Sequence, residues 1–242
     1  DDFEDRVNMI IDSNDGEYFD VDFCCSVGKF VPKTYKQAVS CPDAERWKEA
    51  MDDEITSLHE NDTYEVVPLP AGKQVVGGRW VFAVKAPPGG VERYKARYVA
   101  QGFSQQEGRD YFETFAPTAK MTSVRILMQI AADFGLTLHQ MDVRTAYLNA
   151  PLDCVIYMLQ PKGYELEERG SKVRMVCRLK KSLYGLKQSG RMWNLVLHNF
   201  LKEKGFIQSP HDPCTYVYSK DNDIAIVIVW VDDMLVAGNS GD

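Results

Sequence analysis

The stretch from residue 225 to residue 238 reads AIVIVWVDDMLVAG, and it constrains the fold more than any other part of the sequence. Ile224 to Trp230 is apolar on both faces, which predicts a central strand of a sheet. Asp232 and Asp233 stand between this run and a second apolar run, so they predict a turn in a buried hairpin. Such a pair is either an acidic turn or a ligand for a cation, and the residues alone leave both open.

A third carboxylate ends another predicted strand. Asp142 closes the segment LTLHQMD, 90 residues before Asp232. If the two strands are neighbours, the three carboxylates converge, and their repulsion raises some of their pKa values unless a cation neutralises them. Mg²⁺ prefers such oxygen ligands, and two ions about 3.5–4 Å apart serve phosphoryl transfer. A divalent-cation site is therefore the alternative to a plain turn.

The remaining pattern mixes helices with hairpins. Apolar residues at spacings of 3, 4, 4 and 3 predict an amphipathic helix from Ala44 to about Asn61. A turn at 86–90 predicts a hairpin between VFAV and YKARYVA, with the cations Lys85, Arg93, Lys95 and Arg97. A further helix is predicted at 123–134, with an inward face of Val124, Leu127, Ile130, Ala131 and Phe134. Because strands and helices do not alternate regularly, the pattern predicts an α+β fold.

Charge is distributed unevenly along the chain. The formal net charge is −7, but residues 1–60 carry 16 acidic and 6 basic side chains, and the remaining 182 residues carry 19 acidic and 22 basic ones. This pattern indicates a polyanion-binding body behind an acidic leader at 1–30, which we expect to be flexible. Solvated lysines on helix faces would produce the same counts.

Composition disfavours two classes of protein. The longest apolar run, Ile224 to Val231, is too short to span a bilayer, so we expect no membrane partner. The six cysteines form no CxxC pair, which indicates reduced thiols in an intracellular protein.

Four motifs follow one another in a characteristic order. They are YKARYVAQGFSQQEGRDYFETFAPTAKMTSVRILM, QMDVRTAYLNAPLD, LKKSLYGLKQSGRMW and WVDDMLVAG. From Val31 to Gly238 the chain resembles the reverse transcriptase of copia-like LTR retrotransposons. The resemblance implies a right-hand polymerase with fingers and palm, the palm being a ferredoxin-like sheet backed by helices. We expect an N-terminal helix and the fingers at 31–135 and mainly palm, with fingers insertions possible, at 136–242; thumb, connection and RNase H are expected to be absent.

The resemblance also implies site residues. Asp142 and Asp232 would bind two Mg²⁺ or Mn²⁺ ions, with the backbone carbonyl of Val143 as a further ligand and Asp233 as a supporting catalytic residue. Tyr147 would exclude the 2′-hydroxyl of a ribonucleotide. The other implied nucleotide contacts are those of Lys85, Lys95 and Arg97 with the triphosphate of a deoxynucleotide and of Gln188 with its sugar.

Further implied positions face the template and primer. Tyr184 and Gly185 would pack near the template, and Trp230 would lie beside the primer end, where the family usually has Tyr. The implied partners are an RNA or DNA template with its primer, deoxynucleoside triphosphates and the remainder of the Pol polyprotein, in cytoplasmic virus-like particles. The alternatives are a relic that binds nucleic acid without polymerising and another palm nucleotidyltransferase such as a nucleotide cyclase, which lacks the YKAR and LYGLKQS stretches.

Overall fold

The computed structural model describes residues 30–85, 90–166 and 174–239, so almost all of the predicted leader lies outside the described residues. The described elements are, in chain order, α1 (Tyr35–Ala38), α2 (Ala44–Glu60), β1 (Tyr64–Pro68), β2 (Gly78–Lys85), β3 (Arg93–Ala100), α3 (Met121–Phe134), β4 (Thr137–Asp142), β5 (Tyr157–Met158), β6 (Met175–Leu179), α4 (Ser189–Glu203), β7 (Ile207–Gln208), β8 (Thr215–Lys220), β9 (Asp223–Trp230) and β10 (Asp233–Gly238). None of the described helices is both long and apolar enough to cross a membrane.

The chain divides into two compact units. The sheet unit comprises the described residues of 115–146 and 190–239, and the hairpin unit comprises those of 30–114 and 147–189. Each unit combines helices with antiparallel strands, which confirms the predicted mixture of helix and sheet. The assignment of 31–135 to fingers and of 136–242 to palm stays a prediction.

The sheet unit is built on five antiparallel strands in the order β4–β10–β9–β8–β7. β9 lies in the centre, as its apolar sequence predicts, and its buried residues are Val227, Ile228 and Val229. Ile228 and Ala237 project from one face of the sheet and pack with Leu127 and Ala131 of α3. Tyr216 projects from the opposite face, and its hydroxyl lies 3.1 Å from Nδ1 of His198 in α4.

The helix α3 lies where the sequence predicts it, but its predicted inward face is wrong at one residue. Leu127 and Ala131 are buried, whereas Phe134 is 76% exposed. The helix ends at Phe134, because Gly135 adopts φ +65 and the N–H groups of Gly135 and Leu136 both donate to the carbonyl of Ala131. The ring at this last helical position therefore remains in solvent.

The hairpin unit contains the β2–β3 hairpin and a three-stranded sheet in the order β1–β6–β5. Both the hairpin and α2 lie where the sequence predicts them. The ring of Trp47 in α2 lies 5.2 Å from that of Phe82 and 4.5 Å from that of Tyr94. Glu54 in the same helix accepts a hydrogen bond from the backbone N–H of Tyr98 at 3.0 Å. The buried face of the hairpin is thus fixed on α2.

Candidate active site

Asp232 lies in a two-residue turn between β9 and β10. Trp230 and Asp233 pair across this turn, so that only Val231 and Asp232 form the loop. Val231 adopts φ +59, a left-handed backbone conformation that a β-branched residue rarely takes. Trp193 Nε1 donates to the carbonyl of Val231 at 2.7 Å, and the N–H of Val143 donates to the carbonyl of Asp232 at 2.9 Å. The surrounding structure therefore holds this turn in a strained conformation, as is common at functional sites.

Three carboxylates meet at this end of the sheet. The strand that ends at Asp142 and the strand before Asp232 are not direct neighbours, because β10 lies between β4 and β9. The pairing of β10 with β4 nevertheless brings the carboxylates to one end of the sheet. Asp233 is the direct cross-strand partner of Asp142, and paired residues project from the same side of a sheet. Asp232 precedes Asp233 in the turn. Like charges directly opposite each other destabilise a sheet. The arrangement therefore lowers the stability of the fold unless the negative charges are neutralised.

The surroundings of Asp233 affect the pKa of its carboxyl group. Its pKa is raised above the ordinary value for an aspartate. Desolvation is the largest cause and the charges of Asp142 and Asp232 add to it, while a hydrogen bond from Gln140 lowers the pKa in part. The environment of Asp233 therefore disfavours its charged form.

The chemistry of these donors fits a divalent cation, since carboxylate oxygens are the ligands that Mg²⁺ prefers and a cation would relieve the repulsion. As the side chains lie, no group of three or more His, Cys, Asp or Glu residues among those described is arranged to hold a metal. The predicted two-ion site, including the ligand role of Val143, stays a prediction.

Trp230 stands beside the carboxylates. It pairs with Asp233 across the turn, so its indole projects from the side of the sheet that carries Asp233. Trp230 is 48% exposed, so part of its ring is open to solvent. An exposed ring next to acidic groups offers a surface on which a planar or sugar-like ligand can lie. Its predicted position at the primer end remains a prediction.

In the hairpin unit, the predicted triphosphate-binding residues share one face of the hairpin. The register pairs Lys85 with Arg93, Ala83 with Lys95 and Val81 with Arg97. Because side chains alternate along a strand, Lys85, Lys95 and Arg97 project from the same face. The opposite face is apolar and buried, with Phe82, Ala96 and Tyr98 among its members.

Three residues with predicted nucleotide or template roles are in contact within the hairpin unit. The guanidinium of Arg97 lies 5.0 Å from the ring centre of Tyr184, which is a cation–π distance. The ring of Tyr184 meets that of Tyr147 edge-on, with 4.6 Å between centroids. The structure thus joins Arg97, Tyr184 and Tyr147, which are far apart in sequence.

Gly185 occupies a position that only glycine fits. Its φ is +93, and a Cβ there would overlap the carbonyl oxygen of Ala100 and lie 3.0 Å from the carbonyl carbon. The N–H of Ala100 donates to the carbonyl of Tyr184 at 2.7 Å. This close approach ties the LYGLKQS segment to the end of β3 and sets the place of Tyr184.

Gln188 is fully buried, with 0% exposure. Its Nε2 donates to the carbonyl of Asp110 at 2.9 Å, and its Oε1 accepts from Gln105 Nε2 at 3.0 Å. Contact with a nucleotide sugar, as predicted, would require this side chain to leave both partners.

Gln105 is a residue that the sequence analysis missed. It is 4% exposed, accepts from the N–H of Lys187 at 2.8 Å and donates to Gln188. Its role depends on partners more than 80 residues away in the chain, so no local pattern indicates it.

Comparison with known proteins agrees with these features. Residues 61–242 match the family described as Reverse transcriptase (RNA-dependent DNA polymerase). The chain is 41% identical over 209 residues to the retrovirus-related Pol polyprotein from transposon TNT 1-94 of Nicotiana tabacum, covering 86% of this chain and 16% of that protein. It is 41% identical over 210 residues to the one from transposon RE1 of Arabidopsis thaliana, covering 86% and 14%.

A more distant relative is the truncated transposon Ty1-A Gag-Pol polyprotein of Saccharomyces cerevisiae, 27% identical over 215 residues and covering 84% of this chain. The chain thus spans about one sixth of the length of these relatives. With three carboxylates at one end of its sheet and a family match over most of its length, the chain belongs to the reverse transcriptase (RNA-dependent DNA polymerase) family.

Proposed function

We propose that this chain is the fingers and palm portion of a copia-like reverse transcriptase, with a ferredoxin-like palm. It adds deoxynucleotides to the 3′-hydroxyl of a primer on an RNA or DNA template. The observation that carries the proposal is the direct pairing of Asp142 with Asp233 across β4 and β10, with Asp232 held in a strained turn beside them.

In this proposal the carboxylates supply the chemistry. Asp142 and Asp232 would hold the Mg²⁺ or Mn²⁺ ions, with the carbonyl of Val143 as a further ligand and Asp233 in support. Bound there, such ions would supply a lower pKa for the attacking hydroxyl and neutralising charge for the leaving pyrophosphate. The bonds from Trp193 and Val143 keep the turn from relaxing, so Asp232 retains its orientation.

The hairpin unit binds the incoming nucleotide in this proposal. Arg97 suits the triphosphate because a planar guanidinium binds phosphate oxygens with two parallel hydrogen bonds, while Lys85 and Lys95 add point charges. Tyr147, held edge-on by Tyr184, fills the space that a 2′-hydroxyl would need. Gly185 keeps Tyr184 close to β3 beside the template.

Primer extension on poly(rA)–oligo(dT) with Mg²⁺ or Mn²⁺ tests the function. The substitution Asp232→Asn should abolish extension, because it removes the negative charge while keeping the size of the side chain. Asp223→Asn is a matched control: Asp223 is an exposed aspartate at the other end of β9, and its substitution should leave extension unchanged. Extension that survives Asp232→Asn would refute the proposed metal role.

A second candidate is a nucleic-acid-binding relic without polymerase activity. It is favoured by Trp230, which replaces the usual Tyr and lies across from Asp233. Trp230→Tyr separates the two: extension that appears only with tyrosine would identify a relic, whereas equal extension would leave the polymerase as the function. Because the relatives are Pol polyproteins, we also propose that the chain belongs to a larger Pol polyprotein. A cytoplasmic place in virus-like particles is proposed from the family alone.

A further inference from the structure

The hairpin unit has a cleft of about 500 Å³ at the base of the β2–β3 hairpin. Its walls come from the start of β2, from β3, from the start of α1 with the two residues before it, and from the chain between β5 and the start of β6. A cleft of this volume accommodates a ligand about the size of a nucleotide. The cleft lies within one unit, so its shape depends only on that unit.

Four cations from separate segments line the cleft, namely Lys33, Arg79, Lys162 and Arg174. All four are exposed, and Glu165 is the only acid among the described residues of the lining. Within the described part of the chain, no ion pair joins any of the four to an acid, whereas Arg109, Arg178 and Lys180 of the same unit are each paired. Among its described residues, the lining therefore carries four cations against one acid, which favours an anionic ligand.

Three other polar side chains of the lining are already engaged. Trp80 Nε1 donates to the carbonyl of Lys162 at 3.0 Å, and the hydroxyl of Tyr98 donates to the carbonyl of Leu159 at 2.9 Å. The backbone N–H of Leu166 donates to Oε1 of Gln160 at 2.9 Å, and Nε2 of Gln160 donates to the carbonyl of Leu166 at 3.1 Å. These three side chains are not open to the edges of bases, whereas the exposed cations can hold phosphates.

None of the residues proposed to bind the nucleotide lines the cleft, namely Lys85, Lys95, Arg97, Tyr147 and Gln188. Trp80 and Tyr98 belong to the face of the hairpin opposite to Arg97, because side chains alternate along the strands. By the same alternation Arg79, which also lines the cleft, shares the face of Arg97. The two sets of residues therefore have no member in common, although both include a cation on that face.

We propose that this cleft is a second, non-catalytic site for single-stranded polynucleotide, which it holds through backbone phosphates without regard to sequence. We favour a polynucleotide over a free nucleotide because the four cations come from four separate segments of the chain, which suits contacts with successive phosphates. An aromatic and apolar lining combined with exposed cations is typical of sites that bind single strands. The proposal does not require the chain to polymerise.

The first test measures binding of a labelled single-stranded oligonucleotide to the whole chain by fluorescence anisotropy at several salt concentrations. Lys33→Gln combined with Lys162→Gln removes two cations from the cleft. The loss of two phosphate contacts should lower the salt slope by about 1.4, which corresponds to about 25-fold weaker binding at about 0.1 M salt. Lys48→Gln with Lys73→Gln removes the same charge from exposed positions of the same unit outside the cleft, and should change neither value.

A second test needs no substitution. Lysine acetylation followed by mass spectrometry should show that the oligonucleotide protects Lys33 and Lys162 but not Lys48 or Lys73. Protection of Lys85 and Lys95 in the same experiment reports on the proposed nucleotide site, so failure there is distinguishable from failure of the cleft. Unprotected Lys33 and Lys162, or equal effects of the two double variants, would overturn the proposal. Displacement of the oligonucleotide from Lys33 and Lys162 by ATP at matched phosphate concentration would also overturn it, in favour of a free-nucleotide site.

Discussion

Replacing Gly185 by alanine should destabilise the hairpin unit more than the same change at a positive-φ glycine that has no near neighbours. The new Cβ would overlap the carbonyl oxygen of Ala100 and lie 3.0 Å and 3.1 Å from the carbonyl carbon and the nitrogen of that residue. All three are backbone atoms, so relief requires the segment around Gly185 to move away from β3. That movement breaks the hydrogen bond from the N–H of Ala100 to the carbonyl of Tyr184, now 2.7 Å long.

The loss of folding free energy caused by Gly185→Ala has two contributions in addition to backbone strain. Forcing atoms into a packed region costs about 2 kcal/mol, and losing the hydrogen bond costs about 1 kcal/mol. The left-handed backbone itself adds about 1–2 kcal/mol for any residue with a Cβ. The first two parts together, about 3 kcal/mol, should lower the melting temperature by about 6–12 °C in a chain of this size.

Gly108→Ala is the matched control, because Gly108 has φ +78 but no atom lies within 4 Å of the place that a Cβ would take there. It carries the backbone strain without the overlap. Thermal unfolding followed by circular dichroism measures both variants against the parent chain. If Gly185→Ala is no less stable than Gly108→Ala, the reasoning about close approach is refuted. Because Tyr184 is displaced with Gly185, the KM for deoxynucleotides should also rise in any active form.

Three further predictions concern the carboxylates, the tyrosine pair and the buried amide. Because the pKa of Asp233 is raised in the folded state, its ionisation destabilises the fold: the stability present below its unfolded pKa is lost as the pH rises through its folded pKa. At neutral pH, Asp233→Asn should therefore raise the melting temperature by about 1–2 °C, from about 0.5 kcal/mol of relieved repulsion. Mn²⁺ should raise the melting temperature of the parent chain more than that of this variant, and an equal rise in both would contradict a cation site at Asp233. Tyr147→Val should bring the kcat/KM for ribonucleotides closer to that for deoxynucleotides by about 100-fold, measured by single-nucleotide extension, and an unchanged ratio would exclude the steric role. Gln105→Ala removes the hydrogen-bond partner of the Lys187 N–H and of Gln188. It should lower the free energy of unfolding, measured with urea, by about 2–4 kcal/mol. The control Gln106→Ala, at an exposed neighbouring position, should lower it by less than about 0.5 kcal/mol.

Local sequence pattern was sufficient to predict the longer helices and the central strand of this protein, but not the short elements α1 and β7. The spacing of Trp47, Met51 and Leu58 predicts α2, because a helical period is written in consecutive residues. The apolar run before Asp232 predicts β9 as a central strand, and Gly135 predicts the end of α3. Each of these features depends on residues within a few positions of one another, so no knowledge of distant contacts is needed.

The function, by contrast, was predicted from four motifs and their order along the chain. The resemblance names Asp142, Asp232 and Asp233 and attaches roles to Arg97, Tyr147 and Tyr184. The structure shows two features that these roles require. They are the pairing of β4 with β10 and the contacts among Arg97, Tyr184 and Tyr147. The metal ligands and nucleotide contacts stay predictions for the experiments above.

What the sequence by itself determined is therefore the type and place of the longer helices and of the central strand, the family and the identity of the acidic groups. Only the tertiary structure decided that Asp233 is the residue opposite Asp142, that Gln188 is buried against Gln105, that Phe134 is exposed and that four cations from separate segments line one cleft. The physical reason is that register and burial follow from packing between segments tens of residues apart. Shifting a strand by one residue would send every side chain to the other face without changing its local pattern.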